Sequence, residues 1–213
     1  MKKIIIFDLD GTLLYTLGDL HLAVNYALEK NGFPVRKLEE VRAFVGDGFR
    51  KLVERALPNN IQLTDVENVL LDFATFYQNN MDVTTAPYDG IISLLDMIKK
   101  LGCNIAINSN KHDNAVQVLC KKYFPQSEIS IGTREGIPPK PAINGVKDIL
   151  TFFDSKDGDL VYFVGDSDVD IKTAKNAGIK SIGVTWGYRS IDYLEGADFL
   201  ANTPEELLEI LKR

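Results

Sequence analysis

The chain has 213 residues, of which 45% are hydrophobic and 25% are charged, and its formal net charge is −6. This composition is sufficient for a sizeable core in one large domain, or in a domain that carries an insertion. The acidic balance argues against nucleic acid or an anionic membrane as a partner, because both require a basic surface. An anionic small substrate would therefore need a locally positive site.

The N-terminal apolar run covers only residues 4–7 before Asp8 adds a charge. A run this short predicts neither a signal peptide nor a membrane span, so the sequence favours a cytoplasmic protein. The two cysteines, Cys103 and Cys120, have no metal-ligand spacing to either histidine. We interpret both as free thiols.

The first predicted element is a strand over residues 3–7, and four predicted helices follow it. Helical spacing of apolar residues covers 17–28, 38–45, 49–57 and 64–80. Gly32 is expected to end the first of these helices, and Thr64 with Glu67 is expected to form a capping box at the start of the fourth. The segment from residue 15 to residue 85 is therefore predicted to be an all-helical insert.

From residue 87 onward, predicted helices and strands alternate. The helices cover 90–101, 111–122, 144–153 and 168–177, and the strands cover 103–108, 128–132, 160–164 and 179–184. A short strand near 198–200 and a helix that opens at Thr203 complete the chain. Single helices between apolar strands are typical of a parallel sheet covered on both faces. The predicted fold is α/β, with a Rossmann-like sheet domain over 1–14 and 86–213 and an inserted helical cap over 15–85.

Polar residues stand at the ends of several predicted strands or in the loops beyond them, where ligands bind in an open parallel sheet. The residues concerned are Asp8 and Asp10, Ser109 and Asn110, Lys140, and Asp166 and Asp170. Carboxylates that converge on a small volume need a cation, and oxygen ligands without histidine or cysteine suggest Mg²⁺. The sequence therefore predicts a magnesium site at this edge of the sheet.

Some of these residues have structural alternatives. Ser109 and Asn110 could simply cap the next helix. The segment GDSDVD over 165–170 is similar to a calcium-binding loop, but Ile171 and Ala177 stand where that loop requires glycine and glutamate. Farther along, Trp186 and Tyr188 are interpreted as packing residues.

The sequence resembles the haloacid dehalogenase-like phosphohydrolases that carry a helical cap, and within them the phosphoglycolate phosphatases. The resemblance depends on FDLDGTL, SNK, KP and GDSDVD in that order, and it extends to FVGDGFRKLVERAL at 44–57 and IGVTWGYR at 182–189. The chain departs from the family at Tyr15, where the family often has an acidic residue, and at Asp89 and Ile143, where the family often has proline.

The resemblance implies specific roles for the strand-end residues. Asp8 would attack phosphorus to form an aspartyl-phosphate, and Asp10 would act as the general acid and base. Mg²⁺ would be held by the side chains of Asp8 and Asp166 and the backbone carbonyl of Asp10. Asp170 would lie nearby, either as a further ligand or in contact with the ligands. The phosphate-binding residues would be Gly11, Thr12, Ser109, Asn110 and Lys140.

In the insert, Gly46, Gly48 and Arg50 match the substrate-facing loop of the family and are expected to select the substrate. The resemblance implies hydrolysis of a small phosphate ester, 2-phosphoglycolate above all, by a monomer or homodimer that binds neither nucleic acid nor membrane. Pyrophosphatase and β-phosphoglucomutase-type enzymes of the same family remain alternatives. A non-catalytic phosphate-binding module is the alternative from another functional class.

Overall fold

The structure is a computed structural model that describes residues 1–213. In chain order, the strands are β1 (Lys3–Phe7), β2 (Leu14–Tyr15), β3 (Ala86–Pro87), β4 (Asn104–His112), β5 (Ile129–Thr133), β6 (Leu160–Gly165), β7 (Lys180–Val184) and β8 (Phe199–Ala201). The helices are α1 (Leu17–Lys30), α2 (Leu38–Phe44), α3 (Gly48–Ala56), α4 (Leu63–Asn80), α5 (Ile91–Lys100), α6 (Asp113–Tyr123), α7 (Asn144–Phe152), α8 (Asp168–Ala177) and α9 (Pro204–Lys212). No helix combines the length and the apolar character needed to span a bilayer.

The chain divides into two compact units. The larger unit contains residues 1–14 and 87–213, and the smaller unit contains residues 15–86. The short strands β2 and β3 form a two-stranded sheet where the chain passes between the units.

The larger unit is built on a six-stranded sheet with the order β5-β4-β1-β6-β7-β8. All paired strands are parallel, and Ile5 of β1 lies opposite Ile105 of β4 and Tyr162 of β6. The helices α6, α7 and α8 connect β4 to β5, β5 to β6 and β6 to β7, as parallel pairing requires, and a short 3-10 helix over Ile191–Leu194 lies between β7 and β8. The predicted α/β fold class is therefore confirmed.

β1 lies at the centre of the sheet, and its residues 4–7 have no exposed surface. One buried cluster joins this strand to its neighbours and to α7 and α8; its members are Ile4, Ile6, Ala106, Ile131, Val146, Ile149, Phe163 and Ala174. Close packing of this kind holds the strand ends in fixed positions, which a preorganised site requires.

The smaller unit is a bundle in which α1 and α4 pack together. Phe73 and Tyr77 of α4 are buried, and the ring of Phe49 meets both edge-on, with centroid distances of 4.9 and 5.3 Å. The apolar stripe predicted for α4 is therefore the stripe that forms the core of this unit.

A buried carboxylate fastens the end of the smaller unit to its first helix. Asp19 of α1 has no exposed surface and accepts hydrogen bonds from the backbone N–H groups of Val83, Thr84 and Thr85, over 3.0, 2.8 and 3.0 Å. The hydroxyl of Thr84 donates to the same carboxylate over 2.7 Å. Four donors satisfy this buried charge, which would otherwise be costly.

Two local predictions were wrong. β4 extends to His112, because its pairing with β5 continues through a shift of register after Asn108, so Ser109 and Asn110 lie within the strand. The residue that precedes α6 is His112, so neither Ser109 nor Asn110 caps that helix. α4 begins at Leu63 after an extended Gln62, which places Thr64 inside the helix instead of at a capping box.

Candidate active site

Three buried carboxylates meet at the carboxyl edge of the sheet. Asp8 directly follows β1, Asp166 directly follows β6, and Asp170 lies in the first turn of α8. One carboxylate oxygen from each residue lies within 4.8 Å of those from the other two. Because Phe7 of β1 pairs with Val164 of β6, the two strands end side by side and bring the carboxylates together.

The ammonium group of Lys140 lies among these carboxylates. Its Nζ atom is 2.7 Å from Oδ1 of Asp8 and 2.7 Å from Oδ1 of Asp170, and the lysine is buried. Three carboxylates against one ammonium leave two negative charges when all are ionised. That is the charge that one divalent cation would balance.

The electrostatics of the cluster oppose full ionisation. Burial raises the pKa of Asp8 to about 8, and the carboxylates of Asp170 and Asp166 add to the shift. Burial likewise raises the pKa of Asp166 to about 7, with a further contribution from Asp170. Burial lowers the pKa of Lys140, but Asp170 and Asp8 outweigh that effect, so its pKa is raised above its ordinary value. The all-oxygen ligand set and the unbalanced charge fit Mg²⁺.

Asp166 is enclosed by glycines and by a backbone donor. Its Oδ2 atom accepts the N–H of Tyr188 over 2.7 Å. A Cβ at Gly11 would lie 2.5 Å from the same oxygen, and a Cβ at Gly187 would lie closer still, so only glycine fits at either position. Gly11 also has a φ of +89°, which favours glycine. The carboxylate therefore has little freedom to move.

A tryptophan joins two loops of the site. The indole N–H of Trp186 donates to the backbone carbonyl oxygen of Thr12 over 3.0 Å. The Thr12 hydroxyl lies 3.5 Å from Oδ1 of Asp166, which is long for a hydrogen bond. The interpretation of Trp186 and Tyr188 as packing residues was incomplete. The available signal was that TWGY follows β7 at the same edge of the sheet.

The side chain of Asn110 holds the loop that carries Lys140. Its Nδ2 donates to the backbone oxygen of Lys140 over 3.1 Å, and the N–H of Lys140 donates to its Oδ1 over 2.8 Å. The neighbouring Ser109 accepts the N–H of Lys111 on its Oγ over 3.2 Å. The structure thus brings Ser109, Asn110 and Lys140 to one place, and their contact with a phosphoryl group stays a prediction.

Lys111 lies at the site but was not predicted from the sequence. Nζ of Lys111 lies 2.8 and 2.9 Å from the two carboxylate oxygens of Asp10, and its side chain has no exposed surface. Lys111 is the third residue of the SNK motif, so the motif itself contained the signal. The carboxylate of Asp10 is thus paired with Lys111, whereas Asp8 and Asp170 are paired with Lys140.

The predicted specificity residues lie between and within two helices of the smaller unit. Gly46, with a φ of +127°, lies between α2 and α3, and Gly48, with a φ of +85°, begins α3. The guanidinium of Arg50 forms two hydrogen bonds with the carboxylate of Glu67, over 2.9 and 3.0 Å, and both side chains are about half exposed. Selection of the substrate by these residues stays a prediction.

Comparisons with known proteins place the chain in one family. The haloacid dehalogenase-like hydrolase family matches residues 5–184. The chain is 33% identical over 201 residues to a phosphoglycolate phosphatase of Pseudomonas syringae pv. syringae, which covers 88% of this chain and 71% of that relative. It is 30% identical over 221 residues to an N-acetylmuramic acid 6-phosphate phosphatase of Pseudomonas aeruginosa, covering 99% and 95%.

A solved structure agrees with these relatives. A protein from Lactobacillus delbrueckii subsp. bulgaricus, provisionally assigned as a phosphoglycolate phosphatase, superposes with a TM-score of 0.91 at 32% identity and covers 99% of each chain. The matches confirm the predicted resemblance and the prediction of a phosphatase-like enzyme. The chain belongs to the haloacid dehalogenase-like hydrolase family.

Proposed function

We propose that the chain is a Mg²⁺-dependent phosphomonoesterase that acts through an aspartyl-phosphate, with 2-phosphoglycolate as the first candidate substrate. The observation that supports it most is the buried cluster of Asp8, Asp166 and Asp170 around Lys140, at the edge of the sheet where ligands bind. Such a cluster has no use in packing, since burying these charges costs stability.

The carboxylates of Asp8, Asp166 and Asp170, with the backbone carbonyl of Asp10, would hold the metal ion. The first three offer only oxygen ligands, and Lys140 balances only part of their charge. Bound Mg²⁺ supplies positive charge that offsets the charge of the phosphoryl oxygens. The tight enclosure of Asp166 by Gly11 and Gly187 fits a ligand that must not move.

Asp8 would attack phosphorus. It follows the central strand directly, so its position is fixed by the most buried part of the sheet. A new bond forms between its carboxylate oxygen and phosphorus while the bond from phosphorus to the ester oxygen breaks. Lys140, 2.7 Å from Asp8, is positioned to offset negative charge on the phosphoryl oxygens during this step.

Asp10 would transfer the protons. It gives one to the leaving alkoxide and then takes one from the water that hydrolyses the aspartyl-phosphate. The contacts of Lys111 with both oxygens of Asp10 fix the direction of this carboxylate. In this proposal Asp10 would lie next to the leaving group and Asp8 next to the phosphorus atom.

The substrate is the least constrained part of the proposal. Relatives of similar identity carry the names of two different substrates, phosphoglycolate and N-acetylmuramic acid 6-phosphate. The relatives named for phosphoglycolate favour that ester as the first to test.

Phosphate release from a panel of esters, measured with purified protein and Mg²⁺, tests the proposal. The panel contains 2-phosphoglycolate, N-acetylmuramic acid 6-phosphate, pyrophosphate and β-glucose 1-phosphate. We expect the highest kcat/KM for 2-phosphoglycolate, and no turnover by Asp8→Asn. Phosphate binding without hydrolysis of any ester would instead support a non-catalytic phosphate-binding module.

A further inference from the structure

The larger unit contains two buried lysines, and each has a different anionic partner. Lys140 forms ion pairs with Asp8 and Asp170 of the acidic cluster. Lys111, which is 2% exposed, reaches the carboxylate of Asp10 from the end of β4. Burying an ammonium group is costly, so a second buried cation at a site that already has Lys140 calls for a functional explanation.

The place of Lys111 relative to a substrate follows from the role of Asp10. A proton donor must lie within about 2.8 Å of the ester oxygen that it protonates. Nζ of Lys111 is 2.8 and 2.9 Å from the oxygens of Asp10. When Asp10 donates a proton to the ester oxygen, the ammonium group is therefore at most about 6 Å from that oxygen.

An anion on the leaving group can reach that position only if it is close to the ester bond. A carboxylate that is one methylene away from the ester oxygen places its own oxygens about 3 Å from that oxygen. The substrate carboxylate can thus lie between the ester oxygen and Nζ of Lys111. A neutral alcohol of the same size would leave the gap without an opposite charge.

We propose that Lys111 is a specificity-determining residue that binds a carboxylate bonded to the ester carbon of the leaving group. This inference rests on the proposed phosphomonoesterase function. Lys111 contacts both oxygens of Asp10, so it can release one of them to the substrate and keep Asp10 in place through the other. The preferred substrates are then phosphate esters of short 2-hydroxy acids.

Two esters that differ only at this group test the proposal. Ethyl phosphate has a methyl group where 2-phosphoglycolate has its carboxylate. We expect Lys111→Met to lower kcat/KM for 2-phosphoglycolate about 10- to 100-fold more than for ethyl phosphate, since hydrogen bonds to charged groups are of that strength. Lys111→Arg should restore part of the difference. Lys121→Met, the same change at an exposed position of α6, should alter neither ester.

The two failures are distinguishable. Equal losses on both esters in Lys111→Met would overturn the inference, because Lys111 would then act only on Asp10. A wild-type protein that hydrolyses neither these two esters nor any ester of the panel would contradict the proposed function itself, whereas hydrolysis of other panel esters alone would overturn only the inference. A wild-type protein with equal kcat/KM for both esters would keep the function and overturn the inference.

A measurement on the wild-type protein covers the case in which the variant does not fold. The stable analogue 3-phosphonopropionate keeps the carboxylate, and propylphosphonate replaces it with methyl. We expect the first to inhibit ethyl phosphate hydrolysis at least about tenfold more strongly, by the same hydrogen-bond argument. Equal inhibition constants would overturn the inference without any substitution.

Discussion

Trp186 donates its indole N–H to the backbone oxygen of Thr12 over 3.0 Å and so joins the loop after β7 to the turn after β1. In the same loop, the N–H of Tyr188 donates to Asp166, and Gly187 packs closely against the Asp166 side chain. One side-chain hydrogen bond thus stabilises both the turn of Asp10 and the direction of a candidate metal ligand.

Trp186→Phe keeps an aromatic ring but removes the N–H donor. We expect it to weaken Mg²⁺ binding, because the loop that orients Asp166 loses its hydrogen bond to Thr12. A hydrogen bond of about 1 kcal/mol corresponds to roughly a fivefold change in affinity. The increase in unfolding temperature as Mg²⁺ is added measures this without reference to activity. Unchanged Mg²⁺ affinity, with circular dichroism like that of the wild type, would show that the bond does not orient Asp166.

The metal-free protein should lose stability as pH rises. In the folded protein the pKa of Asp8 is about 8 and that of Asp166 is about 7, whereas in the unfolded chain both return to the ordinary aspartate pKa of 3.8. Between about pH 4 and pH 8 the folded state therefore binds more protons than the unfolded state. The free energy of unfolding falls as pH rises through this range. Urea unfolding at several pH values should show a decrease of a few kcal/mol. Added Mg²⁺ should reverse the decrease, and a flat profile would contradict the crowding of these carboxylates.

Asp8→Asn should abolish turnover while the protein still folds. An amide cannot accept the phosphoryl group, so we expect kcat to fall by at least about a thousandfold. Removing one of three crowded carboxylates should also flatten the pH dependence of stability. Asp168→Asn is the matched control, because Asp168 pairs with Lys172 on the surface of α8. Near-normal activity in fresh, non-deamidated Asp8→Asn would exclude Asp8 as the nucleophile.

Chelation should remove the activity reversibly. EDTA should stop hydrolysis and Mg²⁺ should restore it, since the excess negative charge would otherwise repel a phosphate ester. Calcium should substitute poorly, because its longer and looser coordination disturbs the in-line geometry. Phosphate release by the protein after exhaustive dialysis against EDTA measures the effect, and full activity there would refute metal dependence.

Asp19→Ala should destabilise the smaller unit. The change removes the acceptor of three backbone N–H groups and one hydroxyl in a buried place. We expect the free energy of unfolding to fall by about 2–4 kcal/mol, as for a buried network that loses its charged member. Glu29→Ala, at an exposed position of the same helix, should change it by less than about 0.5 kcal/mol. Similar losses in the two variants would show that the Asp19 network contributes little.

The sequence predicted the sheet well, because strands buried on both faces are apolar runs with a helix between each pair. The strand-end rule then identified Asp8 and Asp166 as neighbours, although 158 positions separate them in the chain. Lys111 and Trp186 could not be found in this way. Their partners, Asp10 and Thr12, lie in a distant turn, and the directions of their side chains depend on the fold.

The boundary of β4 was missed for a related reason. Polar residues such as Ser109 and Asn110 normally suggest that a strand has ended. Here the strand continues through them because β5 pairs with His112 after a shift of register. Pairing between strands overrode local preference, as it often does in sheets.

The central place of β1 has a consequence for the synthesis of the chain. β1 leaves the ribosome well before its partners β4 and β6, which begin at residues 104 and 160. Until both have been made, the apolar residues 4–7 lack the neighbours that bury them, and an unpaired apolar strand is prone to aggregate. The helical unit between β1 and β4 can meanwhile bury its own aromatic core. Asp8 thus stays at the end of an unpaired strand until β6 has been synthesised.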